Sequence, residues 1–280
     1  MKNHVKIYLF SLLALLLFST SCSLLTDSVC KDGSGEVISQ ERIVSGFTAI
    51  ESRGNFTVNL FQDSSIKVQS VIVAAQENII DLIQTRISGQ SLIIDTDECY
   101  NTNEEVTITV RTPALSQIIL AGSGDIVLQD TVRKSEIEFI LDGSGNIQTT
   151  PSFLIIASIS CTARLKGSGN MELDFDNTNI VNTSVDGSGT ITLRGEAQQN
   201  TLNISGSGTI KAFDLPVLTS TAEIIGSGII ELTATDTDST IITSRATLNA
   251  QVSGSGTVRV KGNASIKWNI SGSGKIERVE

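Results

Sequence analysis

The tripeptide Gly-Ser-Gly occurs nine times in 280 residues, and eight of the copies recur at a nearly constant step. These begin at Gly122, Gly143, Gly167, Gly187, Gly206, Gly226, Gly254 and Gly272, 18 to 28 residues apart. A period near 20 residues points to a repeat architecture. Two residues before each first glycine stand Leu120, Leu141, Leu165, Val185, Ile204, Ile224, Val252 and Ile270. Two residues after each second glycine stand Ile126, Ile147, Met171, Ile191, Ile210, Ile230, Val258 and Ile276. The pattern apolar-x-Gly-Ser-Gly-x-apolar keeps a period of two, the side-chain period of a strand. It puts both glycines on the apolar face and turns the serine away from it. A hairpin turn would interrupt this alternation. The motif therefore lies inside a strand, or at a bend between two strand segments where glycine permits a kink or close approach.

Ile, Val and Thr make up 83 residues. β-branched side chains fit pleated surfaces better than helices, so the chain reads as all-β. A membrane barrel with one hairpin per repeat needs aromatic girdles and a second turn signal, but residues 121–280 hold five aromatics and no such signal. The expected fold is a right-handed parallel β-helix (β-solenoid), about 20 residues per coil, with Gly-Ser-Gly in most coils. At ~3.3 Å per residue one coil has a perimeter of ~66 Å, room for three short strands and their corners. Stacked coils would form an outer serine ladder of Ser123, Ser144, Ser168, Ser188, Ser207, Ser227, Ser255 and Ser273. The two long steps should bulge as loops near Thr150–Ser152 and Asp236–Ser239.

The expected organisation is a signal peptide at 1–21, a tether at 22–40 that includes the ninth motif copy (Gly33–Gly35), and one solenoid domain at 41–280. Within it, residues 41–118 lack the motif and should start and cover the stack, and residues 119–280 form the Gly-Ser-Gly coils. Residues 74–83 carry apolar residues at helical spacing and suggest one short helix. At the far end, Trp268 and the charged tail 275–280 are placed to protect the last coil.

Lys2 and Lys6 precede an apolar run from Ile7 to Phe18. That run is too short to cross ~30 Å of hydrocarbon and matches an export signal. Ser19, Thr20 and Ser21 before Cys22 resemble the lipobox of bacterial lipoproteins, although Ser19 stands where that pattern carries Leu. The resemblance implies lipidation at Cys22; an ordinary secretory signal is the other reading. A lipidated Cys22 followed by Ser23 implies a cell-envelope lipoprotein of the outer membrane, facing the periplasm or the surface.

Removing residues 1–21 takes two lysines from the 20 basic residues and leaves 18 against 30 acidic, a balance of −12. That disfavours nucleic acid, which is bound through Lys and Arg at phosphates. Of the remaining cysteines, Cys30 and Cys99 sit in polar surroundings and are candidates for a disulfide in an exported chain. Cys161 falls on the apolar phase of a strand and reads as a small buried hydrophobe.

The stretch Val44-Ser45-Gly46-Phe47-Thr48-Ala49-Ile50, the strand Gly54-Asn55-Phe56-Thr57-Val58 and the repeated Gly-Ser-Gly-Asp/Asn/Thr-Ile resemble the head GIN domain family of autotransporter adhesins over about residues 36–280. Gly145-Asn146-Ile147 comes near the family's name tripeptide. The resemblance implies an exported, β-helical, adhesin-like protein and brings no catalytic residues.

The sole histidine, His4, lies in the signal, so a mature chain has no Ser-His-Asp or Cys-His mechanism. No CxxC pair marks a metal centre, and no cofactor is expected. The acidic loop 95–105 is rich in oxygen ligands but lacks EF-hand spacing. Asp125, Asp142 and Asp186 flank the motif and would be the carboxylates of a carbohydrate-active β-helix enzyme. Asp125, Asn146, Asn170, Thr190 and Thr209 also read as a structural ladder along stacked coils. The expected function is structural or adhesive: a lipid-tethered, non-catalytic surface for a glycan or protein ligand, with its lipid in the membrane. The alternatives are the β-helix enzyme and a periplasmic assembly or signalling component without its own ligand.

Overall fold

The computed structural model describes residues 30–44, 46–150, 154–236 and 246–280. The expected signal peptide, Cys22 and most of the two expected loops lie outside them. The protein is all-β: the one helix among the described residues is a single 3-10 turn, Ile80–Leu82. The expected helix over 74–83 is replaced by the end of a strand, Ser70–Gln76, and this turn. The helical spacing arises because the chain bends after the strand and buries Ile79, Ile80 and Ile83 together.

Most strands join one large sheet around a single continuous hydrophobic core. They stack in two parallel ladders. The first contains the segments that lead into the motif: Gln117–Leu120, Val132–Gly143, Ile155–Gly167, the ends of Asn170–Gly187 and Thr190–Gly206, then Thr219–Gly226, Thr247–Gly254 and Ser265–Gly272. The second contains the segments that leave it, from Asp125–Leu128 to Lys275–Arg278. The register places motif over motif: Gly143 pairs with Gly167, then Gly187, Gly206, Gly226, Gly254 and Gly272 in turn. Leu141, Leu165, Val185, Ile204, Ile224 and Val252 form the apolar row beside them, all buried.

The two glycines of the motif differ, contrary to the reading that put both on the apolar face. From Gly143 on, the first glycine has φ between 109° and 155°, a region unfavourable to side chains, and is half-buried or exposed. It turns the corner, so the phase rotates there. Its carbonyl stitches the next corner: Gly167 O accepts the N–H groups of both Ser188 and Gly189 at 3.0 Å. The second glycine is the one that faces the core, and Gly145, Gly169, Gly189 and Gly208 are buried.

Strand order is mixed at the N-terminal end. Ala49–Ser52 lies between Ser91–Thr96 and Gln117–Leu120, and Thr57–Gln62 lies between Thr107–Thr112 and Asp125–Leu128. Antiparallel strands cover this end: Ser70–Gln76 on Thr107–Thr112, Val37–Arg42 on Ser70–Gln76, and Ile83–Ser88 on Ser91–Thr96. Residues 30–40, read as tether, are thus built into the fold. Lys31–Asp32 also pairs with Tyr100–Asn101, and Cys30 is disulfide-bonded to Cys99 with a Cα–Cα separation of 4.8 Å. Local sequence concealed this because the strand is exposed and polar, and its partner is distant in sequence.

The other end is protected only in part: Arg278 of the charged tail donates to the carbonyls of Gly262 and Ala264 at 2.6 and 2.5 Å, but Trp268 does not cover the end. Trp268 is 65% exposed, and Ile266, Ile270 and Ile276 are only half-buried.

Candidate binding face

Alternate residues of the first ladder point outward, and the parallel register lines them up across coils. One row reads Glu138, Thr162, Asn182, Thr201, Thr221, Asn249 and Lys267. The row beside it reads Ile140, Arg164, Ser184, Asn203, Glu223, Gln251 and Asn269. Three open depressions lie along this face. One of 510 Å³ is lined by Lys134, Glu136, Glu138, Ser160 and Thr162. One of 240 Å³ is lined by Thr162, Arg164, Asn182, Ser184 and Asn203. One of 460 Å³ is lined by Thr221, Asn249, Gln251, Lys267 and Trp268. Charge at the first end is neutralised locally: Arg164 forms an ion pair with Glu138, which also accepts from Gln117 Nε2 at 2.7 Å. The middle of the face, apart from Glu223, is a run of uncharged amides and hydroxyls. Such groups both donate and accept, and short side chains on a rigid sheet lose little freedom on binding.

The second ladder is more charged, and its groups are spent on one another. Arg194 donates to Asp174 at 2.7 Å and to Glu172 at 2.9 Å, and these hydrogen bonds hold its guanidinium charged. Arg259 donates to Glu231 at 3.0 Å. Asn170 Nδ2 donates to Asn146 Oδ1 at 3.0 Å, and Asn146 Nδ2 donates to Asp125 Oδ1 at 2.7 Å. These amides form a hydrogen-bonded ladder that joins successive coils.

The residues singled out from the sequence are dispersed. Asp142 and Asp186 each pair in register with Lys166, which stands between them, and Asp125 is on the other ladder. The three carboxylates therefore do not converge. Ser123, Ser144, Ser168, Ser188, Ser207, Ser227, Ser255 and Ser273 are all exposed at the corner. In the acidic loop, Asp95 accepts from Arg86 at 2.5 Å. Tyr100, whose hydroxyl donates to Asn55 Oδ1 at 2.9 Å, has its pKa pushed up to about 12 by burial. Cys161 is fully buried, which raises its thiol pKa. Among the described residues, no three His, Cys, Asp or Glu side chains come together in a way that could hold a metal ion, and no helix is long and apolar enough to cross a membrane. The outward rows carry no motif of their own, and only the register across strands makes them one surface. The signal was present in the polar positions one and three residues upstream of the row of Leu, Val and Ile.

A family model described as "Putative auto-transporter adhesin, head GIN domain" matches residues 46–264. A solved "putative lipid binding protein" from Parabacteroides distasonis is 26% identical, with a TM-score of 0.79 over 89% of this chain and 99% of its own. A "putative adhesin" from Parabacteroides merdae is 22% identical, with a TM-score of 0.78 over 89% and 98% of the two chains. Another from Parabacteroides distasonis is 22% identical, with a TM-score of 0.75 over 89% and 99%. No curated protein matches the chain.

Proposed function

The chain belongs to the head GIN domain family of auto-transporter adhesins, and on that premise we propose that it is a non-catalytic, lipid-anchored protein of the cell envelope that binds a glycan or protein ligand on the face of its first ladder. The observation that carries this reading is the continuous outward surface of Asn182, Ser184, Thr201, Asn203, Thr221 and Asn249, built on a rigid stack and free of the ion pairs that occupy the second ladder. Hydroxyl and amide rows suit a polyhydroxylated or extended polar ligand. Lys166 stands in register between Asp142 and Asp186, and Asp125 is on the other ladder, so no two of the three carboxylates are register neighbours, which favours binding over hydrolysis by a carboxylate pair.

The parallel, in-register ladders favour a parallel β-helix as the body of the molecule, and right-handed winding follows from the usual hand of parallel crossovers. Cys22 is the proposed lipid attachment site, with the outer membrane as the destination. Several acyl chains on one residue, at about 0.8 kcal/mol per buried CH₂, would make the anchoring stable.

Binding of the full chain to envelope polysaccharides and extracellular matrix proteins tests the reading. We expect saturable binding that Thr201→Arg and Asn203→Arg reduce at least tenfold, while Arg194→Ala on the second ladder leaves it unchanged. Absence of binding across the panel, or binding insensitive to both face substitutions, would overturn it. Turnover of a polysaccharide abolished by Asp142→Asn would replace it with the enzyme reading.

A further inference from the structure

The two ends of the ladders are finished differently. Antiparallel strands cover the N-terminal end. At the other end Ser265–Gly272 pairs with Thr247–Gly254, and no strand lies beyond it among the described residues. Ser265 N–H donates to Ala246 O at 2.9 Å. Backbone groups alternate sides along a strand, so those of Ser265, Lys267, Asn269 and Ser271 turn back to the preceding strand. Those of Ile266, Trp268 and Ile270 point out along the free edge. The same three residues are in register with Leu248, Ala250 and Val252, all buried, so their side chains are on the core phase. With no further strand over them among the described residues, they line an open depression of 350 Å³ together with Ile276 and Arg278, whose guanidinium reaches the carbonyls of Gly262 and Ala264 just before the strand. An apolar edge strand with unpaired backbone groups is a template for another strand.

The residue order along the edge identifies that strand. Ser265-Ile266-Lys267-Trp268-Asn269-Ile270-Ser271 reads alike from either end about Trp268, with Lys267 and Asn269 as the one unequal pair. In an antiparallel pair centred on Trp268, Ile266 faces Ile270 of the second copy, Ser265 faces Ser271, and Lys267 faces Asn269. A two-fold interface requires such self-complementarity. In this register each outward N–H of Ile266, Trp268 and Ile270 meets an outward carbonyl, and no like charges oppose. Moving the axis to Lys267 would set two ammonium groups against each other, which is destabilising. The apolar side chains of both copies fall on the same face and join the two cores.

We propose that this edge is a homodimerisation surface: two copies pair through Ser265–Gly272 with Trp268 on the two-fold axis, giving one stack of double length. Sedimentation or light scattering of the full chain across a micromolar concentration range tests it. Asn269 is exposed on the outer phase, so its substitutions leave the fold intact. Asn269→Glu places a carboxylate opposite Lys267 twice per dimer, and Asn269→Lys places like charges there twice. At low salt we expect a dimer whose Kd falls about fivefold for the first and rises about fivefold for the second. Trp268→Glu, which sets two carboxylates on the axis, should be monomeric with an unchanged circular dichroism spectrum. A chain that is monomeric throughout the range, or a dimer indifferent to both Asn269 substitutions, would overturn the proposal.

Discussion

Leu141 fills the space that Gly169 leaves empty: a Cβ on Gly169 would stand 2.7 Å from Leu141 Cδ2. The relationship repeats up the stack, with Gly189 against Leu165 at 2.6 Å and Gly228 against Ile204 at 2.6 Å. The apolar residue of one coil packs over the second glycine of the next. Gly169→Ala should therefore overpack the core and cost about 1–3 kcal/mol in urea unfolding. Ser168→Ala, at the exposed corner beside it, should stay within about 0.5 kcal/mol of the parent. Equal effects of the two would contradict this packing.

The first glycine carries a further constraint in its own backbone conformation. Gly187 has φ of 130°, and a Cβ there would lie 2.5 Å from the carbonyl oxygen of Gly167. A Cβ on Gly169 would also press on a carbonyl, that of Gly145, so the two positions share this clash and differ in φ, which is positive at Gly187 and not at Gly169. Gly187→Ala should consequently be more destabilising than Gly169→Ala, with a lower thermal midpoint in the same buffer.

The Cys30–Cys99 disulfide closes a separation of 69 residues and ties the covering strands to the acidic loop. Loop-closure entropy predicts a loss of about 2–4 kcal/mol for Cys99→Ser. The loss should concentrate at the N-terminal end, so limited proteolysis of the variant should cut first within residues 30–44 and leave the motif coils intact.

Tyr100 makes the fold sensitive to alkali. Its folded pKa of about 12 lies above the ordinary value of 10.0 because burial disfavours the phenolate. Between these two values the unfolded chain releases the proton first, so it binds fewer protons than the folded one and stability falls as pH rises. Below pH 10 the residue contributes no slope. Denaturant midpoints measured from pH 9 to 12 should decline less steeply in Tyr100→Phe.

Cys161 should react with a maleimide only after unfolding, since its thiol is fully buried and its pKa is raised. Rapid labelling under native conditions would show that the coil at 155–167 opens readily.

The repeat carried most of the architecture into view. Its spacing gave the step between paired strands, and the phase of Leu141, Leu165 and Val185 gave the core row, because a strand's period of two is a local property. Two further features of the motif were not local. The corner at Gly187 required a positive φ, which alternation alone cannot reveal, and the rotation it causes separates the roles of the two glycines. The tether reading failed for the same kind of reason: Val37–Arg42 is exposed and weakly patterned, and it becomes a strand only because Ser70–Gln76 offers an edge.

By itself, the sequence determined an all-β chain with an apolar interior and a 20-residue period, since these follow from side-chain type and spacing along one strand. Tertiary structure decided which residues share a surface. Thr201 and Asn182 are neighbours only through a parallel register across coils, and Lys166 stands between Asp142 and Asp186 for the same reason. It also decided that, among the described residues, strands cover one end and leave the edge at the other without a neighbouring strand, because an edge is satisfied or left free by what lies next to it in space and not in the chain.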